Sequence, residues 1–200
     1  MLNPENIHCL ALNYKGVGTN NQPPLYFVKS KNSLCFNNSM IEFPNNSDKL
    51  WTEVELGIVI KENCSNIKEE EAEKYIEGFI VCGDITCKNI QGRDHHLAFS
   101  KSRKNFCPVS NEIIFLSKEK ILNLKLKTLI NNKITQEGFI NQMYYNPYKS
   151  LSYVSSITEL KKGDILLTGT PAGVDNNILS RGDTVEHFIE DIGSIHFKVK

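Results

Sequence analysis

Thr52-Glu53-Val54-Glu55-Leu56-Gly57-Ile58-Val59-Ile60 has the alternating polarity of a β-strand, with two acidic residues on one of its faces. Side chains alternate across a strand, so Glu53 and Glu55 project together while Val54, Leu56 and Ile58 project to the other side. Two adjacent carboxylates repel, and burying them uncompensated is expensive. A hard cation relieves both costs, since Mg²⁺ takes one or a few carboxylates and leaves its other positions to water or substrate. Taken alone, the segment reads more readily as a solvated edge strand with two ordinary glutamates.

Downstream, Phe79-Ile80-Val81-Cys82-Gly83-Asp84-Ile85-Thr86 sets one carboxylate at the end of an apolar run. A lone Asp after a buried strand often caps a helix. It also stands where a third ligand would return to Glu53 and Glu55. Between the two runs, Asn66 as an N-cap with Glu69 three residues on predicts a helix. Ala72, Tyr75, Ile76 and Phe79 recur along it at helical spacing, and Gly78 can end it. Three oxygen ligands without a Cys/His cluster favour Mg²⁺ or Mn²⁺ over zinc and leave Ca²⁺ open.

Further out, strand-like runs dominate. His8 to Leu12 and Leu25 to Lys29 read as strands separated by a loop containing Gly16-Val17-Gly18. Leu124 to Ile130 and Lys133 to Gln136 flank Asn131-Asn132, a hairpin signal. Ser150 to Ser156 fits a short helix or strand, and Asp164 to Thr168 runs into the turn Gly169-Thr170-Pro171-Ala172-Gly173. His187 to Glu190 and Ser194 to Val199 form a closing hairpin around Gly193. No repeat or linker interrupts them, so the expectation is one β-rich, mixed-sheet α+β domain over residues 1–200.

The composition excludes several classes. Basic and acidic side chains balance at 23 each, so no global field favours nucleic acid or anionic lipid. No run approaches the ~18 apolar residues of a membrane span, and the N-terminus lacks a signal-peptide layout. The six cysteines contain no C-x-x-C pair, which fits reduced thiols and a cytoplasmic location. There is no G-x-S-x-G elbow, the Gly16 loop lacks the third glycine of a dinucleotide fingerprint, and the Gly169 turn lacks a P-loop lysine.

The succession E-x-E-L, G-D-I-T-x-x-x-x-Q, K-S, Q-E-G and G-D-I-L-L-T-G-T-P-A-G-V resembles the fumarylacetoacetate hydrolase family. The likeness runs from Asn13-Tyr14 to Val199 and is nearest to the small single-domain acylpyruvase and oxaloacetate-handling members. It implies the fold of the fumarylacetoacetase C-terminal domain, with Glu53, Glu55 and Asp84 as metal ligands. It implies catalytic roles for Lys101 and Gln91, and substrate contacts from Thr170, Gly169, Lys88 and Tyr14. It also implies a 2-oxo acid substrate and a homodimer.

Two departures matter. Hydrolytic members carry a water-activating histidine, paired with a glutamate, on a lid after the N-Y pair. Here Asn13-Tyr14-Lys15-Gly16-Val17-Gly18-Thr19-Asn20-Asn21-Gln22-Pro23 is shorter and has no histidine, so residues 1–40 are expected to form a shortened lid region. Lys88 stands where many relatives have arginine, which weakens a bidentate grip on a carboxylate. His95 and His96 are the candidate replacements for the missing base, although exposed loop histidines are commoner than bases. The resemblance thus implies Mg²⁺-dependent enolate chemistry on a short 2-oxo acid, tilted toward tautomerisation, isomerisation or decarboxylation and away from C–C hydrolysis. The alternative is a catalytically reduced relative that binds metal and a carboxylate as a sensor or partner.

Overall fold

In the computed structural model, which describes residues 2–200, the glutamate-bearing run is the middle of an eleven-residue strand. In chain order the strands are β1 (Ile7–Ala11), β2 (Leu25–Lys29), β3 (Leu34–Phe36), β4 (Ser39–Ile41), β5 (Leu50–Ile60), β6 (Ile76–Cys87) and β7 (Cys107–Val109). They continue with β8 (Lys125–Ile130), β9 (Lys133–Phe139), β10 (Ile165–Leu167), β11 (Ile178–Leu179), β12 (Thr184–Ile189) and β13 (Gly193–Val199). Three short helices, α1 (Leu97–Lys101), α2 (Lys118–Ile121) and α3 (Pro147–Ile157), lie between them. The expected mixed-sheet, strand-rich fold with few helices is what forms.

The larger sheet runs β2-β1-β10-β5-β6-β7-β3, with β11 pairing an end of β5. β1 and β10 are parallel, while β5 and β6 pair antiparallel along almost their whole length. The end strands β2 and β3 are joined only by residues 30–33. A chain that short reaches at most about 18 Å, yet a flat sheet would separate its end strands by about 29 Å. The sheet therefore curls until its ends meet. Ile7, Cys9, Val59, Ile80, Cys82, Cys107 and Val109 pack on one of its faces.

The other face carries the second sheet, β4-β13-β12-β8-β9. Val54, Leu56 and Ile58 of β5 pack with Leu126, Ile189 and Ile195 of that sheet, and Leu50 and Ile85 pack with Val185, Phe197 and Val199. β5 is thus covered on both sides, which excludes the solvated edge strand. The Asn131-Asn132 pair makes the expected hairpin, both residues with positive φ (51° and 64°), as a primed turn requires. The closing β12–β13 hairpin forms as expected. The 150–156 segment is helical, within α3, whose N-cap Asn146 accepts from the amides of Tyr148 and Lys149.

The helix expected after Asn66 does not form. Residues Glu69–Tyr75 make a 3-10 helix, and Ile76 onward is already β6. Asn66 adopts a left-handed φ of 52° and caps nothing. A helix this short has little stability of its own, and Ile76, Gly78 and Phe79 instead pair with Ile60, Val59 and Ile58. Gly78 serves close approach rather than helix termination, since a Cβ there would lie 2.9 Å from the Ile114 carbonyl oxygen. All six cysteines are buried and unbonded to one another.

At Gly57 the side chains of β6 fill the space beside β5, and a Cβ there would sit 2.4 Å from Cys82 Sγ and 2.7 Å from an Ile80 side-chain carbon. Gly57→Ala should therefore lower the unfolding free energy by about 1–3 kcal/mol, the usual cost of overpacking. Urea unfolding checks this, and an unchanged midpoint would contradict so tight a strand contact.

Candidate metal centre and active site

Register brings the acidic residues together. Directly opposite residues of an antiparallel pair share a face, and Glu53 faces Asp84 while Glu55 faces Cys82. Asp84 lies inside β6, not after it. Glu55 and Asp84 are 1% exposed and Glu53 is half-buried, so the cluster opens to solvent through Glu53. One carboxylate oxygen from each of the three lies within 4.8 Å of the others.

Two ammonium groups reach the cluster. Lys101, at the end of α1, donates to Asp84 Oδ2 at 2.6 Å, to Thr86 Oγ1 at 2.8 Å and to both Glu53 oxygens at 3.2 Å. Thr86 passes its own hydroxyl proton to Glu53. Lys29, buried at the end of β2, donates to the other Asp84 oxygen and to the Phe106 carbonyl at 2.8 Å. Nothing in the Leu25–Lys29 run distinguishes this lysine from an ordinary strand end. The curl of the sheet is what carries it to Asp84.

Burial works against the charge on Asp84, but Lys101 and then Lys29 outweigh it and hold the carboxyl below its usual range. Burial alone would lower the Lys101 ammonium, and Asp84 and Glu53 reverse that and raise it. Glu55 is left over. Burial, then repulsion from Asp84 and Glu53, pushes its carboxyl well above the usual range. Two ammonium groups facing three carboxyls leave the cluster one positive charge short, and an all-oxygen donor set of this kind suits a hard divalent ion.

The Gly169 turn closes the site on another side. The Gly169 amide donates to Glu55 Oε2 at 2.5 Å. Its φ is 94°, and a Cβ would lie 3.3 Å from the Leu10 carbonyl oxygen, so glycine alone fits without strain. Asn13 fastens the turn by donating to the Thr168 and Tyr145 carbonyls at 2.8 and 2.9 Å. Tyr14 is buried beside it with an unpartnered hydroxyl, and burial followed by the charge of Glu55 raises that phenol. Thr170 accepts from Gln136 Nε2 at 3.0 Å.

Residues 6–200 match the model of the fumarylacetoacetate (FAA) hydrolase C-terminal family. The chain belongs to that family. It is 35% identical over its whole length to an uncharacterised protein of Methanocaldococcus jannaschii, of which it covers 84%. It is 34% identical to the human mitochondrial oxaloacetate tautomerase FAHD1, with 88% of this chain and 81% of that protein aligned. Among solved structures, a 2-hydroxyhepta-2,4-diene-1,7-dioate isomerase of Mycobacterium marinum superimposes with a TM-score of 0.91 at 28% identity, over 99% of this chain and 75% of the other. Fumarylpyruvate hydrolase of Pseudomonas aeruginosa, determined with Mn²⁺ and pyruvate, shares the fold at 22% identity (TM-score 0.89, 99% of this chain and 90% of that one). The fumarylacetoacetate hydrolase family comprises metal-dependent hydrolases, isomerases and lyases, and this chain is one of its enzymes.

Other family positions stand apart from the carboxylates. Gln91 is exposed and lines a surface cavity of about 690 Å³ with Lys88, Asp48 and Asp94. Lys88 pairs there with Asp48 at 3.0 Å, and neither Lys88 nor Gln91 bonds to the acidic cluster. His95 and His96 are exposed, with ring centroids 4.1 Å apart, on the turn that leads into α1. The first forty residues, expected as a shortened lid region, hold β1, β2, β3 and the start of β4. Between β1 and β2, the loop of residues 12–24 runs beside the Gly169 turn, and a Cβ on its Gly16 would come within 3.5 Å of Ala172 there. The Trp51 indole, which spacing alone did not single out, donates to Glu53 Oε1 at 2.9 Å. Strand alternation could have found it, since residues 51, 53 and 55 share a face.

That bond makes the single tryptophan a reporter. Mg²⁺ or Mn²⁺ taking up Glu53 should perturb Trp51 emission with saturating dependence, and Glu55→Gln should weaken the response at least tenfold. Calorimetric binding with unchanged emission would remove Glu53 from the ligand set. Lys29→Met, which strips a buried carboxylate of one partner, should lower stability by about 3 kcal/mol. Saturating Mg²⁺ should raise the melting temperature of this variant more than that of the unaltered chain, and equal shifts would count against Lys29 as an electrostatic partner of Asp84.

Proposed function

We propose that this enzyme acts on short 2-oxo acids by Mg²⁺-dependent enolate chemistry, with an oxaloacetate-type substrate undergoing keto–enol tautomerisation or decarboxylation. The observation that carries the reading is the meeting of Glu53, Glu55 and Asp84 with Lys101 and the Gly169–Thr170 turn at one partly open site. The 34% identity to a human oxaloacetate tautomerase supports it.

Glu53, Glu55 and Asp84 would hold the cation, which supplies Lewis-acid polarisation of the 2-oxo group when bound. Lys101 stays an ammonium because Asp84 and Glu53 raise it against the pull of burial. It is therefore a stabiliser of developing negative charge and not a base. Thr170 and the backbone of its turn would hold the substrate carboxylate. The loop of residues 12–24 contains no histidine, aspartate or glutamate with which to activate water. Tautomerisation and decarboxylation need charge stabilisation and proton transfer, whereas hydrolysis of an acylpyruvate also needs an activated nucleophile.

With Mg²⁺ present, the purified protein should turn over oxaloacetate faster per active site than it cleaves acetylpyruvate, and EDTA should abolish both. Lys101→Met should reduce kcat about 100-fold while leaving the Mg²⁺ response of Trp51 in place. Faster acetylpyruvate cleavage that is lost in His95→Ala or His96→Ala would reverse the substrate order.

A further inference from the structure

Beneath the Gly169 turn lies a buried polar chain that the chemistry above does not use. It links Thr52, His187, Thr128, Gln136, Asn177 and Thr170, and all but Thr170 are at most 3% exposed. Its bonds can be given a direction by counting protons. Gln136 Nε2 lies 2.7 Å from the Pro171 carbonyl oxygen, which can only accept, so the amide orientation is settled. Asn177 Nδ2 is settled likewise by the Thr52 carbonyl at 3.0 Å.

Gln136 Oε1 must then be an acceptor, and Thr128 gives it its only hydroxyl proton at 3.1 Å. Thr128 Oγ1 in turn accepts from His187 Nδ1 at 3.0 Å. His187 meets hydroxyls and no carboxylate, and burial drops its imidazole to about 3, so it is neutral with one proton, on Nδ1. Its bare Nε2 accepts from Thr52 Oγ1 at 2.7 Å. At the far end Gln136 spends one amide proton on Pro171 and the other on Thr170 Oγ1, 3.0 Å away. Thr170 Oγ1 is thereby an acceptor within the chain, and among the described residues its own proton has no protein acceptor. Thr170, 8% exposed, is the one member that reaches the surface of the turn.

We propose that Gln136 is a positioning residue that presents the Thr170 hydroxyl proton to the carboxylate of the 2-oxo acid, at the end of a one-way hydrogen-bond chain beginning at Thr52. This rests on the reading of the site given above. Without the Gln136 amide, Thr170 Oγ1 loses the donor that fixes its lone pairs, and its hydroxyl is free to rotate away from the substrate. The chain also ties the second sheet to the site, because Thr128, Gln136 and His187 come from β8, β9 and β12.

The test measures Mg²⁺-dependent binding of oxalate, an enolate mimic, by calorimetry. Thr170→Val should weaken oxalate about 10- to 100-fold, as loss of a hydrogen bond to a charged group does. Gln136→Met should weaken it comparably, and the double variant should bind no more weakly than Thr170→Val alone. The Mg²⁺ response of Trp51 should stay unchanged throughout, which separates positioning from general damage. Oxalate affinity within twofold of the unaltered protein in Gln136→Met, or losses that multiply in the double variant, would overturn the proposal. Nitrogen-15 NMR of the unaltered protein gives a readout that needs no variant to fold, with the His187 proton expected on Nδ1. A proton on Nε2 would make Thr128 donate to His187, break the one-way chain there and overturn the proposal without touching the function. No oxalate binding by the unaltered protein would instead overturn the reading of the site, and the role of Thr170 with it.

Discussion

The antiparallel register that sets Glu53 opposite Asp84 is the constraint on which the rest depends. A slip of one residue would turn Asp84 to the opposite face and put apolar side chains where the carboxylates meet. Both faces of β5 are covered, so such a slip would also bury polar groups on the Val54–Leu56–Ile58 side. The same packing that makes β5 a core strand therefore fixes the geometry of the acidic cluster. Gly57 lets the two strands approach without displacing Cys82 or Ile80. Stability and chemistry are set here by one pairing.

That arrangement concentrates charge in a buried place, and the fold answers with elements from distant parts of the chain. Lys29 arrives because the larger sheet curls until its two end strands are joined by one short turn. Lys101 arrives at the end of a five-residue helix. Both bond Asp84, while Glu55 has only the Gly169 amide. The imbalance is local, and it leaves Glu55, the least compensated of the three carboxyls, on the side of the Gly169 turn. On the proposed reading, a cation held by Glu53, Glu55 and Asp84 would relieve Glu55 and draw a substrate carboxylate toward the turn beside it.

The legible parts of this protein were those with a short period or a dense motif. The period of two exposed the Glu53/Glu55 pair, and the glycine-rich turn after β10 exposed Gly169 and Thr170. The Asn131-Asn132 hairpin followed from turn chemistry alone. The helix expected after Asn66 gave way because the three-residue step from Ile76 to Phe79 fits a helix, while the structure absorbs it in β6 at a register shift opposite Val59 and Ile60, and pairing with β5 decided the outcome. Lys29 and His187 were silent for a different reason, and Gln136 was visible only as part of the Q-E-G motif. Their partners Asp84, Thr52 and Thr170 lie 55, 135 and 34 residues away, so no short window of sequence contains both ends of these bonds. Lys88, Gln91, His95 and His96 show the converse, since motif position marks them while the structure sets them on an exposed turn without a bond to the cluster.

The loop of residues 12–24 beside the Gly169 turn bears on the proposed reaction type through what it lacks and what it touches. Its thirteen residues, 12–24, include no carboxylate or imidazole, and Gly16 lies against the Gly169 turn. A loop of this composition can exclude water and hold the turn, but it adds no base. What remains near the carboxylates is an ammonium kept charged by Asp84 and Glu53, and a hydroxyl whose proton has no acceptor in the protein. Both are donors, suited to receiving negative charge as it builds on a substrate oxygen. Donors of that kind lower the barrier to forming an enolate and do nothing to make water a nucleophile. These donors therefore support the proposed reading, in which a proton moves or carbon dioxide is lost next to a 2-oxo group.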